Sequence, residues 1–320
     1  MSLTSMNSSG KLDTFVTGQA MGQPSQPVVD NAPLPANSVL VAPIPRLIIR
    51  SHWFERSIAL NHRSEWVIGR GRDNDIVLPE RWISRHHAVL KYVDPSAFSL
   101  VDLGSLNGSY VNHQSAGQPL LLKGGDLITL GDSEIDFQCP ATDFRLNHYT
   151  GGKTVLMTSS SQLQGEIWRE ILSSQGLSVL WAKPGTPLQD VIKHAELVGQ
   201  TPSLILVDLV ATKDNPYDFC RWCNQTYPQM QVILTSGMRT ELYPSEQQWA
   251  LRQGALDLFP GFGSNGLLSN MGDIASRVRV ILRALNWPTI EQSPLASTLL
   301  ALQERLRNVA RPGFENSASS

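Results

Sequence analysis

The sequence predicts two domains of different class, an all-β sandwich followed by a doubly wound α/β domain. Between Trp66 and Gly131, short apolar and β-branched runs each end at Gly, Asn, Asp or Pro, which is typical of many short strands. From Lys153 onward, short apolar runs alternate with longer segments of helical period, which is typical of a parallel sheet covered by helices. A chain of 320 residues has room for both domains.

The composition argues against several classes of function. Lys and Arg number 26 against 28 Asp and Glu, and charged residues make up only 17% of the chain, so no basic field indicates a nucleic-acid partner. No apolar run approaches the length of a membrane span, and the N-terminus lacks the layout of a secretory signal. We therefore expect a soluble cytoplasmic protein that neither binds nucleic acid nor crosses a membrane.

The cysteines predict neither a disulfide framework nor a metal site. There are three of them, Cys139, Cys220 and Cys223, an odd and low number. Cys220 and Cys223 have the CxxC spacing of redox and zinc sites, but no second CxxC or paired-histidine motif completes a tetrahedral zinc site. The pair also falls inside a predicted helix, 217–226, rather than at a strand-to-helix turn. We interpret it as structural and expect neither a metal nor a cofactor.

The first predicted element is a disordered tail, residues 1–44. This segment is rich in Ser, Asn, Gln, Gly and Pro and shows no sustained hydrophobic period. It buries too little apolar surface to offset its ordering entropy.

The sandwich is predicted over residues 45–139, and its polar residues are concentrated in three loops. The segments 47–49 (Leu-Ile-Ile) and 135–137 (Ile-Asp-Phe) open and close it. The loops carry Gly69-Arg70, then the run 84–87 (Ser-Arg-His-His), then the run 104–108 (Gly-Ser-Leu-Asn-Gly). Loops on a rigid scaffold are where binding residues concentrate. Two arginines and a serine hydroxyl are donors that suit a phosphate dianion.

These loops resemble forkhead-associated (FHA) domains. The chain shows G-R, then N-x-I-x-L, I-S-R-x-H-A, D-L-G-S-x-N-G-x-x-V-N and L-x-x-G-D-x-I-x-L-G in the order of that family, over roughly 46–139. The family binds phosphothreonine peptides. The resemblance implies that Arg70 and Ser84 contact the phosphate with Arg85 beside them, that Asn107 holds the peptide backbone, and that His87 braces the loop.

The same resemblance assigns supporting residues. Ser105 would join the peptide-binding residues, and the loop conformations would depend on Gly69, Gly104, Gly108 and Asn112. Leu106 departs from the family, because many members carry there a polar residue that reads the peptide, so we expect a different peptide selectivity. A purely structural interpretation remains open: Asn107-Gly108 is a hairpin signal in its own right, although this does not account for the arginines or Ser84.

Residues 140–152 are predicted to be a linker, and 153–287 the α/β domain. The predicted strands are 153–157, 177–182, 203–209, 231–237 and 255–259, and the predicted helices are 161–176, 187–200, 217–226, 244–254 and 272–287. Strands that alternate with helices in this way indicate a doubly wound domain with a parallel sheet.

The order and spacing of these segments resemble a response-regulator receiver domain, which has a flavodoxin-like fold. Asp208 matches the family's phosphoacceptor and Thr235 its switch hydroxyl. The acidic pair that holds Mg²⁺ falls on Ser159 and Ser160, and the lysine position falls on Gly261. Two serines do not replace two carboxylates as ligands of Mg²⁺, and nothing offsets the charge of a transferring phosphoryl group. The resemblance therefore implies a pseudo-receiver kept for interaction, with Asp208 and Thr235 non-functional.

The last predicted element is an amphipathic helix at 294–310, within the C-terminal segment 288–320. Its apolar residues recur at steps of three and four, at Leu295, Leu299, Leu302, Leu306 and Val309. The helix either packs back on the α/β domain, which is the simpler expectation, or pairs with another chain and gives a homodimer.

From these resemblances we expect a non-catalytic, bacterial-type signalling adaptor. It would bind a protein that an upstream Ser/Thr kinase has phosphorylated on threonine, and it would contact a second protein through the pseudo-receiver. Thr4, Thr14 and Thr17 in the tail suggest an intramolecular phospho-ligand, with an unmodified tail as the simpler alternative. Two other functions stay open: an atypical response regulator phosphorylated on Asp208, and a structural protein whose FHA-like site is vestigial. No catalytic motif favours an enzyme.

Overall fold

The computed structural model describes residues 44–51, 54–93, 97–139, 152–197, 200–212, 214–263 and 266–309, all within one compact unit. Nearly all of the predicted tail, with its three threonines, lies outside the described residues. So do residues 140–151 of the predicted linker and the chain after residue 309.

Eleven short strands are found among the described residues of the N-terminal half. They are β1 Arg46–Arg50, β2 Phe54–Ala59, β3 Glu65–Gly69, β4 Ile76–Val77, β5 Ala88–Val93, β6 Ala97–Asp102, β7 Ser109–Val111, β8 Gln114–Ser115, β9 Leu120–Leu122, β10 Leu127–Leu130 and β11 Ser133–Gln138. They form two layers, one in the order β2-β1-β11-β10-β7-β8 and one in the order β4-β3-β5-β6-β9. The strands predicted to open and close the sandwich are neighbours, with Leu47 paired to Phe137.

Alternation along these strands builds the sandwich core. Every second residue points into the space between the two layers, so apolar side chains from both sheets meet there. Trp66, Phe98 and Phe137 are fully buried, and the Phe98 ring lies 5.9 Å from that of Trp66 and 5.5 Å from that of Phe137. This aromatic centre fixes the two layers and so gives a rigid base to the loops at their ends.

Five strands and six helices follow. They are β12 Thr154–Thr158, α1 Gln162–Ser174, β13 Ser178–Ala182, α2 Leu188–Leu197, β14 Leu204–Asp208, α3 Pro216–Thr226, β15 Gln231–Ser236, α4 Pro244–Arg252, β16 Asp257–Pro260, α5 Met271–Ala284 and α6 Gln292–Val309. The alternation of strand and helix agrees with the sequence prediction, and the boundaries differ by a few residues.

The five strands are parallel and their order is β13-β12-β14-β15-β16. Counted from β12, this is the order 2-1-3-4-5 of a doubly wound sheet. Successive residues of β12 are buried on opposite faces of the sheet. Leu156 belongs to the core with α2, α3 and α4, while Met157 belongs to the core with α1, α5 and α6. Helices therefore cover both faces, and the carboxyl ends of the strands share one edge.

The α6 helix packs back on the protein, as the simpler of the two expectations had it. Leu295, Leu299 and Leu302 are fully buried in the core that α1 and α5 share. The three leucines lie on one face because they are three and four residues apart. In the described part of the chain no helix is both long and apolar enough to cross a membrane.

One continuous sheet joins the two halves, which the sequence did not predict. Strand β2 of the sandwich pairs antiparallel with β13, with Ser57 opposite Val179 and Glu55 opposite Trp181. The sandwich layer and the parallel sheet thereby become a single eleven-stranded sheet. Each strand's own hydrophobic pattern shows which of its faces is buried but not which strand lies beside it, so this pairing had no local signal.

Candidate functional site

Two of the three predicted loops lie side by side at one end of the sandwich. The backbone N–H of Arg70 donates to the carbonyl of Ser84 at 3.0 Å, and that of Gly71 donates to the carbonyl of Arg85 at 3.0 Å. A Cβ on Gly69 would lie only 2.3 Å from the carbonyl oxygen of Arg85, so no larger residue allows this approach. The loop after β3 and the loop before β5 are therefore held together by their backbones.

Donor groups gather where these loops meet. The side chains of Arg70 and Arg85 are exposed, and within the described part of the chain neither contacts a carboxylate. The half-buried Ser84 hydroxyl accepts a hydrogen bond from the backbone N–H of Leu106 at 3.1 Å. This bond uses a lone pair and leaves the hydroxyl hydrogen free to be donated to a ligand.

His87 ties the second loop to the third. Its imidazole is fully buried; Nδ1 accepts from the backbone N–H of Ser84 at 3.1 Å, and Nε2 donates to the carbonyl of Gly108 at 3.1 Å. These partners assign the proton to Nε2. The ring thus links the backbone of Ser84 to the third loop.

Asn74, the first residue of the N-x-I-x-L pattern, has a structural role that the sequence did not indicate. Its side-chain amide donates to the carbonyls of Gly71 at 2.7 Å and Arg85 at 2.6 Å, and its Oδ1 lies 2.8 Å from Nδ1 of His86. Asn74 therefore clamps the first loop to the second. An Asn in a turn often bonds neighbouring backbone groups, but only the fold shows that it reaches another loop.

Asp102 organises the third loop. Its carboxylate accepts from the backbone N–H groups of Gly104 and Ser105, both at 2.8 Å, and from the hydroxyls of Ser105 at 2.7 Å and Ser109 at 2.5 Å. Partial burial raises the pKa of Asp102, but the hydrogen bonds from Ser105 and Ser109 outweigh it and hold that pKa below its usual value. Gly104 and Gly108 both have a positive φ, of 76° and 75°.

The predicted peptide-contacting residues of the third loop have different hydrogen-bond partners within the protein. Asn107 donates its amide to the carbonyl of Trp82 at 2.7 Å, which leaves Oδ1 as the atom able to accept a backbone N–H. The Ser105 hydroxyl gives its hydrogen to Asp102, so its contact with a peptide stays a prediction. Leu106 is 89% exposed. Asn112 braces a different loop, through Asp126 and Leu127.

A second cluster of predicted residues lies at the carboxyl edge of the parallel sheet. Asp208 is fully buried, and its Oδ2 accepts from the backbone N–H of Ser160 at 2.8 Å and from the Ser160 hydroxyl at 2.7 Å. Its Oδ1 accepts from the N–H groups of Val210 at 3.2 Å and Gly237 at 3.4 Å. Thr235 is buried in the next strand and paired with Asp208. Protein donors thus surround this carboxylate.

Gly261, at the position where the receiver resemblance expects a lysine, is closely packed. A Cβ on Gly261 would lie 2.7 Å from the carbonyl oxygen of Ser236. Its own N–H donates to the carbonyl of Arg239 at 2.7 Å, and Gln164 of α1 bonds both backbone groups of the adjacent Phe262 at 2.7 Å. A long side chain therefore does not fit at this position without backbone movement.

The CxxC pair is buried in α3, as the sequence predicted. Burial, with the neighbouring Cys223 adding to it, raises the pKa of Cys220 to about 12, and burial raises that of Cys223 to about 11. Both thiols therefore stay protonated near neutral pH, where only the thiolate is reactive. Across the described ranges, no three His, Cys, Asp or Glu side chains come together as metal ligands.

Part of the sandwich is similar in sequence to a known protein family. Residues 66–131 match the sequence model of the FHA domain. The ABC transporter ATP-binding/permease protein Rv1747 of Mycobacterium tuberculosis is 43% identical over 70 residues, which cover 22% of this chain and 8% of that protein. The transcriptional regulatory protein EmbR of the same organism is 44% identical over 75 residues, 23% of this chain and 19% of EmbR.

A third relative is the glycogen accumulation regulator GarA of M. tuberculosis, 38% identical over 69 residues, 22% of this chain and 41% of GarA. The chain thus spans less than half the length of each of these relatives. One solved structure, from a structural and functional analysis of phosphothreonine-dependent FHA domain interactions, is 31% identical and covers 31% of this chain and 99% of its own, with a TM-score of 0.28. M. tuberculosis EmbR in complex with a low-affinity phosphopeptide is 31% identical, with coverages of 32% and 26% and a TM-score of 0.28.

Proposed function

We propose that the FHA domain formed by residues 66–131 binds proteins phosphorylated on threonine, and that the chain is a non-catalytic signalling adaptor. An upstream Ser/Thr kinase would make the ligand. The α/β half would present a surface to a second protein. A cytoplasmic location, where protein kinases have ATP, is part of the proposal.

The observation that carries the proposal is the contact between the first two loops. The hydrogen bond from the Arg70 N–H to the Ser84 carbonyl brings together the backbones of two residues, one with an unpaired guanidinium and one with a hydroxyl whose hydrogen is free. Arg85, exposed and next in the chain, adds a second guanidinium. A phosphate dianion accepts several hydrogen bonds at once, and each charge-assisted bond contributes about 1.5–3 kcal/mol.

The third loop supplies the contact that orients a peptide. Asn107 is fixed by its bond to Trp82, so its Oδ1 accepts a backbone N–H of the ligand without losing much rotamer freedom. Leu106 offers apolar surface where it adjoins the Ser84 hydroxyl. With so few contacts we expect micromolar affinity, about −8 kcal/mol.

The α/β half supports the adaptor function because the carboxylate of Asp208, at the phosphoacceptor position, is already occupied by hydrogen-bond donors of the protein. We propose that it is a receiver-like, flavodoxin-like domain that has lost phosphotransfer. The carboxylate of Asp208 accepts hydrogen bonds from Ser160, Val210 and Gly237, and the packing at Gly261 leaves no room for a lysine. Phosphoryl transfer depends on electrostatic stabilisation by a metal and a cation, which these residues do not provide. A response regulator switched at Asp208 is therefore the less favoured alternative, and a vestigial FHA site is the other.

Fluorescence polarisation of phosphothreonine peptides with the full-length chain tests the proposal. Each peptide is compared with its unphosphorylated form and with a phosphoserine form. We expect saturable binding of the phosphothreonine peptide only, and a loss of roughly tenfold or more in Arg70→Ala, since one charge-assisted contact is removed.

Arg221→Ala is the matched control, because Arg221 is also an exposed arginine but lies on α3, where it contacts Asp218. It should bind like the unchanged chain. Binding that ignores the phosphate, or that survives Arg70→Ala at full strength, would refute the proposal and leave a purely structural protein as the better account.

A further inference from the structure

A cleft lies where the sandwich meets the α/β half, away from the phosphopeptide loops. It has a volume of about 250 Å³. Its walls come from β2, from the turn before β3, from the loop before β4, from β13 and from the residues before β14. Its polar lining includes Arg56, His62, Arg63, Asp75, Gln200 and Thr201. We call it the junction cleft.

Arg56 is the unusual member of this wall. It is only 6% exposed and sits opposite Leu180 of β13, in the strand pair that joins the two halves. Its Nη1 donates to the carbonyl of Val77 at 2.9 Å, while Nη2 is buried and has no hydrogen-bond partner. Burial lowers the pKa of Arg56 to about 10, so the guanidinium still carries its charge at neutral pH.

The nearby titratable groups do not neutralise Arg56. Asp75 is already bonded to Arg63 and to the backbone N–H of Val67. Burial and then Arg63 lower the pKa of His62. Burial and then Arg56 lower that of His194, on α2. No carboxylate among the described residues forms an ion pair with Arg56. The net charge facing the cleft is therefore positive.

A buried, unpaired guanidinium is costly, and folded proteins almost always pair such groups. When a buried donor in a native protein lacks a partner, a bound ion or water is a common reason. Among the donors at the cleft, the planar fork of arginine matches the geometry of a carboxylate or phosphate best.

We propose that the junction cleft binds a small oxyanion, a phosphate or carboxylate group on a compact molecule, with Arg56 as its central partner. The volume suits one anionic group and a few further atoms rather than a nucleotide. A ligand there would contact β2 on one side and the residues before β14 on the other. It would therefore stabilise the joined halves against unfolding.

Thermal unfolding of the full-length chain with increasing inorganic phosphate tests this, with sodium malonate as the carboxylate probe. Both series use an Arg70→Ala chain at constant ionic strength and neutral pH, so that phosphate binding at the loops does not contribute. We expect a saturable rise in Tm. A response to phosphate alone assigns phosphate esters, and a response to malonate alone assigns carboxylates.

Variants then locate the response. Adding Arg56→Met should weaken the binding of the effective anion roughly tenfold or more, since a charge-assisted contact is lost. Gln200→Glu serves if Arg56→Met does not fold: Gln200 is at the surface of the cleft, and a carboxylate there should repel the anion and abolish the response. Arg221→Met is the matched control and should respond like its parent.

The proposal is overturned if neither anion gives a saturable rise in the Arg70→Ala chain, or if the rise persists in both cleft variants. The second result would identify general exclusion of the anion from the protein surface as the cause. Because Arg70 is replaced in every chain compared and the further variants change only the cleft, neither result bears on phosphopeptide recognition.

Discussion

Arg46 of β1 and Glu170 of α1 form a buried ion pair across the junction of the two halves. Nη2 of Arg46 lies 3.0 and 2.7 Å from the two carboxylate oxygens, and the side chains are 2% and 1% exposed. Arg169 extends the pair: it contacts Glu170 at 3.0 Å and Glu55 of β2 at 2.5 Å. Together with the β2–β13 pairing, this network fixes the sandwich relative to the parallel sheet.

Glu170→Gln should lower the free energy of unfolding by about 3–5 kcal/mol, because it leaves the charge of Arg46 buried without a counter-ion. Urea denaturation measures the change. Glu65→Gln removes an exposed carboxylate that contacts Lys91 at 3.0 Å, and should cost less than about 1 kcal/mol. Equal losses in the two variants would contradict the role assigned to the buried pair.

Glu170 should also make stability depend on pH. Burial raises the pKa of Glu170, but Arg46 and Arg169 outweigh it and hold the folded-state pKa below the usual 4.5. The unfolded chain therefore binds more protons between the two values, and stability is full above 4.5 and falls as the pH drops toward the folded pKa. The free energy of unfolding should fall more steeply below pH 4.5 in the unchanged chain than in Glu170→Gln. Parallel curves would count against this.

A fragment of residues 45–139 should be less stable than the full chain and should self-associate. Without β13, strand β2 becomes a sheet edge with unpaired backbone groups, which is a template for pairing with a second copy. Glu55 and Arg46 also lose their partners on α1. Light scattering across protein concentrations and urea midpoints provide the measurement. A monomeric fragment whose midpoint equals that of the full chain would show that the junction adds nothing.

His87→Ala should weaken phosphopeptide binding and reduce stability together. It leaves the partly buried N–H of Ser84 and the partly buried carbonyl of Gly108 without their imidazole partner, at about 1–3 kcal/mol each. The neighbouring His86 is the matched control, because it is exposed and its partners are the side chains of Asp73 at 3.3 Å and Asn74 at 2.8 Å rather than backbone groups of two loops. His86→Ala should cost less than about 1 kcal/mol. Affinity by fluorescence polarisation and stability by urea should both separate the two variants; identical behaviour would remove the bracing role of His87.

Acetyl phosphate with Mg²⁺ should not phosphorylate Asp208, since its oxygens are already bonded to Ser160, Val210 and Gly237. Intact mass reports the result. Ser160→Ala should lower stability by about 1–3 kcal/mol, because a buried carboxylate loses a hydroxyl donor. An added phosphoryl mass that disappears in Asp208→Asn would instead favour the response-regulator alternative.

The sequence by itself determined the two kinds of structure and the location of the three loops that match the FHA pattern. The hydrophobic period changes near Lys153, and a period is a local property that reports strand or helix directly. The loop motif grouped Arg70, Ser84 and His87 in loops that the structure brings together, because its glycines and polar residues act through backbone conformation and short-range contacts. Gly69 is the clearest case, since only glycine allows the approach of the Arg85 carbonyl.

Only the tertiary structure decided what each of these residues touches. Asn74 reaches a loop eleven residues away, and Glu170 meets an arginine 124 residues earlier in the chain. The pairing of β2 with β13 likewise joins two strands whose own hydrophobic patterns do not indicate that they are neighbours. A hydrophobic pattern shows that a surface is buried, but many partners cover a surface equally well, and the choice among them comes from the packing of the whole chain.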